Sequence, residues 1–386
     1  MLKVPVSDNS STEYDDETIY TLRLARSENV GPKTFFELIR LFGSAKIALQ
    51  NVEDFSLKGG KRKPIKIYTN SEALQEIEAL RKFNAFLLTH HHSEYSKLLL
   101  HIPDPPPVIT YKGDIKLLNH KILAVVGSRN ASLNGVTFTK NIVKKLVDNK
   151  IVIVSGLARG IDTAAHQSAL PSTIAVIAGG VDHIYPQENI NLYHKIANEG
   201  LILAELPIYC PPISKHFPQR NRIIAGISYG TLVVEANLKS GSLITARLTL
   251  EYNRELFAVP GFPYDPRYQG TNHLIKNGAY LVEQVEDIIE QLPTYNLDTS
   301  NNCYDQENFT QYKDHGSYQS TTITDDQRTI VKNILSSVPL DIEVIVNQTK
   351  LPMNIVNVII LELELAGIVA RCLGNKIVIL YNQSLM

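Results

Sequence analysis

From Lys121 to Val282 the chain alternates short, continuous apolar runs with longer segments of helical period. Residues 121–128 (KILAVVGS), 151–156 (IVIVSG), 173–178, 201–206, 231–236, 256–259 and 279–282 read as strands. They are apolar, rich in β-branched residues, and bounded by Gly, Ser or Pro. Between them, the spacing of Phe138, Ile142, Val143, Leu146 and Val147 predicts a helix, and 163–170, 192–198 and 285–292 predict others. Strands with no polar face need cover on both sides. The expected fold class is therefore α/β, a doubly wound, mainly parallel, Rossmann-like sheet.

The flanks follow a different pattern. Ile19, Leu22, Leu24 and Ala25, then Phe35, Phe36, Leu38, Ile39, Leu41 and Phe42, predict two helices broken at Asn29-Val30-Gly31-Pro32 and stopped at Gly43. Helix, Gly-Pro turn, helix resembles a helix-hairpin-helix DNA element, although Glu28-Asn29 stands where a second glycine would help. A small helical domain that only packs is the plainer reading. Pro103-Asp104-Pro105-Pro106-Pro107 reads as a stiff connector and a domain boundary. Residues 294–322 are polar and aperiodic, as in a linker. From Thr324, three helical segments precede a hairpin (368–372 and 376–380, joined around Gly374-Asn375), a winged-helix-like order. Its third helix, MNIVNVIILELELAG, has no Lys or Arg and carries Glu362 and Glu364. A phosphate-facing helix needs the opposite charge, so a protein-contact or dimer module is expected.

Composition changes this picture little, but charge does. At 386 residues and net charge −1 the chain is not a polybasic binder. Within 211–254, however, Lys215, Arg220, Arg222, Lys239, Arg247 and Arg254 face only Glu235 and Glu251, a local net of +4. Three scattered cysteines form neither a disulfide framework nor a metal pair, which points to a reduced, cytoplasmic setting. Neither a signal peptide nor a membrane span is expected.

The strand ends gather the candidate chemistry. Gly127-Ser128-Arg129 follows the first strand, a loop with Arg159 and Asp162 the second, and Gly179-Gly180-Val181-Asp182 the third. Arg220-Asn221-Arg222 follows the fourth and Lys239-Ser240-Gly241-Ser242 the fifth. Parallel sheets bind ligands outside their carboxyl ends, so a crevice is expected there. Ser240 or Ser242 can cap the next helix, and a helix start beside cations suits an anion. Residues 156–160 lack the Gly-Lys-Ser/Thr of a Walker loop, GSRN is not GxGxxG, and no GxSxG occurs. Asp162 and His166 share a helical face; a cap plus an interior histidine is plainer than an acid–base pair. His90-His91-His92 reads as a solvated loop. Arginines outnumber nucleophiles, which favours holding a phosphate chain over cleaving one. The enzymatic rival rests on Tyr229-Gly230-Thr231 and Glu235, which resemble the PGGxGTxxE loop of Rossmann-like nucleoside-monophosphate phosphoribohydrolases. Here Ile227-Ser228-Tyr229 replaces the glycines.

Five motifs in order resemble the DNA-processing protein A (DprA/Smf) family: VGSR (126–129), SGLARGID-x-x-AH (155–166), FPQRNRIIAG (217–226), VVEA…SGSLITA (233–246) and VPG…G-T-N-x-LI-x-x-GA (259–279). IPDPPPV (102–108) and YKGD (111–114) fit its inter-domain junction. The resemblance implies a sterile-alpha-motif-like helical domain at 18–102, an extended Rossmann domain at 108–293, a linker at 294–323 and a winged-helix-like domain at 324–386. It further implies a protein that binds single-stranded DNA, protects incoming strands and loads the RecA recombinase in natural transformation. It implies a homodimer formed through the Rossmann domain, with no catalytic activity, cofactor or metal. Carried over by residue, Arg129, Lys215, Arg220 and Arg222 would contact phosphates. Gly127, Ser128, Ser240, Gly241 and Ser242 would donate hydrogen bonds, and Arg159, Asn221 and Lys239 complete the candidate set. Tyr209 departs from the family pattern, standing where a glycine is common, in the loop that carries Lys215. Ala178 and Ala204 are further departures.

Overall fold

The computed structural model describes residues 14–293, 323–372 and 376–380. The predicted linker, Ile323 apart, and the Gly374-Asn375 turn lie outside the described residues. The chain opens with helices α1 (Asp16–Arg26), α2 (Pro32–Phe42), α3 (Ala45–Lys58) and α4 (Asn70–Lys82). The Asp15 carboxylate caps α1 by accepting from the Thr18 amide at 2.8 Å. Gly43, at φ 80°, ends α2 in the left-handed conformation that glycine tolerates best.

Next come β1 (Phe86–Thr89), α5 (Lys97–Leu100), β2 (Val108–Gly113), β3 (Lys121–Val126), α6 (Leu133–Asp148), β4 (Ile151–Ser155), α7 (Ile161–Ala169) and β5 (Thr173–Ile177). They are followed by α8 (Ile190–Glu199), β6 (Leu201–Ala204), α9 (His216–Gly226), β7 (Gly230–Val233), α10 (Ser242–Glu251), β8 (Glu255–Ala258), α11 (Gln269–Lys276), β9 (Tyr280–Leu281) and α12 (Glu286–Ile289). The C-terminal region contributes α13 (Asp325–Ile334), β10 (Leu340–Asp341), α14 (Ile342–Thr349), α15 (Met353–Leu365), β11 (Val369–Cys372) and β12 (Lys376–Ile379).

The first nine strands form one sheet in the order β1-β2-β6-β5-β4-β3-β7-β8-β9. It is parallel from β6 to β9, and β1 and β2 add antiparallel pairs at one side. Successive residues of β3 serve opposite faces, as strand geometry requires. Ile122, Ala124 and Val126 pack with Ile223 and Ile224, whereas Leu123 and Val125 pack with Ile142, Val143 and Leu146. Both faces are thus covered by helices, the doubly wound arrangement that the apolar strands predict.

Two corrections concern the boundary. The short strand β1 belongs to the sheet, so the sheet begins before the proline-rich stretch. That stretch is built into the sheet unit rather than linking two domains. The Pro106 carbonyl accepts from the Tyr95 hydroxyl at 2.6 Å, and the Pro107 carbonyl from the His90 amide at 3.0 Å. The described residues fall into two compact units, 75–293 and 14–74 together with 323–380.

In the second of these units, α15 packs against the N-terminal helices. Leu361 and Leu365 share one buried cluster with Leu24, Phe35, Leu38 and Phe55. The Asn29 side-chain amide donates to the Leu365 carbonyl at 2.9 Å. The acidic groups of this helix are neutralised in place. Arg328 grips Glu362 through Nε at 2.7 Å and Nη2 at 2.9 Å, and Arg371 Nε meets Glu364 at 2.9 Å. Here α15 makes a protein contact, and it makes it within its own chain.

Candidate functional site

Strand order locates the site. The chain runs outward from β3 through β4 and β5 to β6, then returns to lay β7 on the other side of β3. Loops leaving β3 and β7 therefore part in opposite directions, which opens a crevice at their carboxyl ends. Helix α9 crosses back from β6 to roof it. The result is a crevice of about 340 Å³ whose lining includes Gly127, Ser128, Arg129, Asn130, Ala158, Asp162, Phe217, Arg220, Asn221, Asn237, Ser240, Gly241 and Ser242.

The walls touch because of their small residues. Gly160 adopts φ 75°, and a Cβ there would lie 2.3 Å from the Ser128 carbonyl oxygen, so glycine lets the β3 and β4 loops meet. On the other wall, the Asn221 side-chain amide reaches the Gly241 carbonyl at 3.4 Å. The Ser240 hydroxyl accepts from the Ser242 amide at 3.3 Å and pairs with the Ser242 hydroxyl at 2.7 Å. Ser240, one of the two expected caps, thus occupies the first free amide of α10 from one residue ahead of the Gly241 N-cap position.

Arg220 is the central cation. It is buried, and its Nη1 donates to the Val176 carbonyl at 2.9 Å. Its Nε is buried with no hydrogen-bond partner among the described residues. Burial draws the guanidinium down to about 10, against the attraction of Asp162 and with added repulsion from Arg129. A buried, under-satisfied cation beside a second cation is an arrangement that an anion would relieve. Arg129 is exposed at the mouth, its guanidinium carbon 5.4 Å above the Phe217 ring. Tyr185 in turn meets Phe217 edge-on at 5.4 Å. The aromatic pair was not among the candidates; the signal was the Phe-Pro that precedes the basic cluster.

The other predicted cations lie elsewhere. Arg222 was expected to meet phosphate, but on the turn of α9 facing away from Arg220 it is consumed by internal partners. It pairs with Glu205, donates to the Asp104 carbonyl, and has Nε 3.7 Å from the Asp104 carboxylate. Its charge is therefore compensated, and it does not line the crevice. Arg159 is exposed and lies 3.5 Å from Glu188, also outside the lining. Lys215, at the N-cap of α9, and Lys239, just before Ser240, are exposed beside the crevice rather than in it.

Asp162 and His166 hold structure. Asp162 accepts from the Gly156 amide at 3.1 Å and the Ala158 amide at 3.3 Å, so it fastens the glycine loop instead of capping its own helix. His166 accepts from the Leu157 amide through Nε2 at 3.3 Å and pairs through Nδ1 with Thr173 Oγ1 at 2.7 Å. Burial, with repulsion from Arg220, lowers it to about 3, so it is neutral. The Glu235 carboxylate is equally committed, accepting from the Ser132 amide at 3.0 Å, the Ser132 hydroxyl at 2.5 Å and the Tyr268 hydroxyl at 3.0 Å. It lies outside the crevice lining, unlike the acid that phosphoribohydrolase chemistry needs. In the histidine run, His91 is exposed, but His90 is drawn inward and lowered to about 4 by burial, with repulsion from His91. The loop is solvated only in part.

Comparison with known proteins accords with this architecture. Residues 86–293 match the family described as DNA recombination-mediator protein A, residues 15–79 a DprA-like N-terminal HHH domain, and residues 316–375 a DprA winged helix domain. Protein Smf of Synechocystis sp. is 35% identical over 396 residues, covering 94% of this chain and 98% of the relative. DNA processing protein DprA of Bacillus subtilis is 44% identical over 208 residues, 53% of this chain and 70% of the relative. The structure of DNA processing protein A from Streptococcus pneumoniae superimposes with TM-score 0.61 at 34% identity, covering 73% of this chain and 99% of that one. The structure of its namesake from Helicobacter pylori, a protein with a unique single-stranded DNA binding mode, gives 0.50 at 33% identity, covering 53% and 94%.

Proposed function

This chain belongs to the DprA/Smf family of DNA recombination-mediator proteins, and from that premise we propose that its crevice holds the backbone of single-stranded DNA. The observation that carries the reading is Arg220, buried with an unsatisfied Nε under Arg129 at the switch point between β3 and β7. Arg129 and Arg220 supply charge, and the Ser128–Asn130 and Ser240–Ser242 turns supply hydroxyl and amide donors for phosphate oxygens. Phe217, half-buried beside Arg129, offers a ring on which an unpaired base can stack. A duplex hides its base faces, so the site favours single strands and reads little sequence. Lys215 and Lys239, exposed on either side, extend the positive track.

By the same reading the protein protects incoming strands and loads RecA recombinase during natural transformation, in the cytoplasm. Self-association through the Rossmann domain is supported by β9, an edge strand whose Tyr280 and Leu281 are 41% and 44% exposed. The role is binding rather than catalysis, because the candidate acids and bases are tied into loops. Titration of single-stranded against duplex oligonucleotides at two salt concentrations tests the proposal. Preference for single strands with a negative salt slope is expected, and equal affinity for duplex overturns it.

A further inference from the structure

The β6–α9 loop carries an aromatic side chain where the backbone suits glycine. Tyr209 has φ 69° and is 61% exposed. A left-handed backbone costs a non-glycine residue about 1 kcal/mol or more, and such strain persists only where its surroundings fix it. They do so here. The Tyr209 amide donates to Asp182 Oδ1 at 2.8 Å, and the Gly180 amide donates to the Cys210 carbonyl at 2.9 Å. The loop is thereby tied to the β5–α8 loop, which three residues beyond Asp182 carries Tyr185. Tyr185, 48% exposed, leans on Phe217 of the crevice.

On its outer side, Tyr209 meets Phe83 edge-on at 6.4 Å and 77°, and Phe83 is itself 37% exposed. Lys112 Nζ donates to the Phe83 carbonyl at 2.6 Å, which places a cation beside this second aromatic pair. Two aromatic pairs, each with a basic group alongside, thus present an exposed tyrosine, Tyr185 or Tyr209, from loops bonded to one another. An edge-on pair fixes one ring while leaving the face of the other open, which is what a stacking base requires.

We propose that Tyr209 is a second base-stacking site, taking an unpaired nucleobase of the same strand where that strand leaves the crevice. The ligand class is a single-stranded nucleic acid longer than the crevice itself. The proposal rests on the crevice reading above, and it adds a length dependence that the crevice alone does not produce.

The test uses the full chain, with Tyr209→Gly and Tyr209→Phe. Glycine suits φ 69°, so the first variant is expected to melt no lower than the parent. Affinities are measured for oligothymidylates of about four and about sixteen nucleotides, spanning the usual range of site sizes. 2-Aminopurine is also scanned along the longer strand. Tyr209→Gly is expected to leave the short oligomer unchanged, weaken the long one about tenfold, and abolish quenching at one position distant from the crevice. Tyr209→Phe is expected to keep all three. If both variants match the parent for the long oligomer and the quenching pattern is unmoved, the second site does not exist, although the crevice reading survives. If the parent binds neither oligomer, the crevice reading fails and this inference goes with it.

Discussion

Gly156 lies directly beneath the Arg220 guanidinium: a Cβ on Gly156 would sit 1.6 Å from Nη1. The strand end after β4 is thus shaped around a side chain from α9, and the bond from Nη1 to the Val176 carbonyl depends on that space. Gly156→Ala is expected to push the guanidinium off Val176. Overpacking of this kind costs about 1–3 kcal/mol of stability. Single-strand affinity is expected to fall about tenfold, or about 1.4 kcal/mol, because the anion site loses its central cation. A thermal melt and a binding titration report the two effects separately. Unchanged affinity in a variant that melts lower would remove Arg220 from the site.

Arg129 and Arg222 are expected to behave as opposites. Arg129→Ala removes an exposed cation, so the melt should hold, while the log–log salt slope of single-strand binding should drop by about 0.7. Arg222→Ala removes a buried cation from Glu205 and Asp104 and leaves two half-buried carboxylates, their side chains 22% and 32% exposed, without that partner. Water reaches both carboxylates, so the loss is about 1–3 kcal/mol, and this variant is expected to melt lower. The salt slope measured on whatever remains folded should equal that of the parent. A lower slope in Arg222→Ala would return this residue to the phosphate track.

That contrast marks the limit of what the sequence discloses. Seven parallel strands were legible because their apolar runs have only one stable solution, a sheet covered on both faces. The Gly-rich ends gave the crevice for the same reason. Arg220 and Arg222 look alike in the sequence, being two residues apart, yet two residues is about 200° around a helix, so they face opposite ways. Which of them lines the crevice depends on Glu205 and Asp104, which are remote in sequence and hold Arg222 away from it. β1 was missed because Phe86-Leu87-Leu88 is too short to show a period. α15 was legible as a helix but not as a buried one, since its carboxylates looked exposed until Arg328 and Arg371 were seen to neutralise them.

Buried His166 gives the fold an acid sensitivity. Its folded pKa of about 3 lies below the ordinary 6.5, so the unfolded chain binds the proton more tightly. Its contribution is therefore complete above about pH 6.5 and is lost as pH falls toward 3, by up to about 1.4 kcal/mol per unit. Asp162, raised by burial, acts in the opposite sense, whereas His90, lowered to about 4, acts in the same sense. Comparison with His166→Gln isolates the single group. The parent is expected to lose stability more steeply than the variant between pH 6 and 4. Parallel curves would mean that His166 takes up its proton as readily in the folded protein as in the unfolded chain.

The two halves of the C-terminal question separate in one truncation. Residues 323–380 belong with the N-terminal helices, whereas the crevice is built wholly within 75–293. Deleting the chain after Thr322 strips Leu361 and Leu365 from the cluster that holds Phe35 and Phe55, so hydrogen exchange in α1, α2 and α3 should quicken. Leu365→Ala is the milder version, expected to cost that unit about 2–5 kcal/mol. Single-strand affinity should nevertheless stay within about threefold, under about 0.7 kcal/mol, because α15 offers no cation to phosphate and spends its face on packing. A tenfold loss of affinity on truncation would make the C-terminal region a DNA reader after all. Unchanged exchange in α1–α3 would mean that the packing of α15 on α3 contributes nothing to their stability.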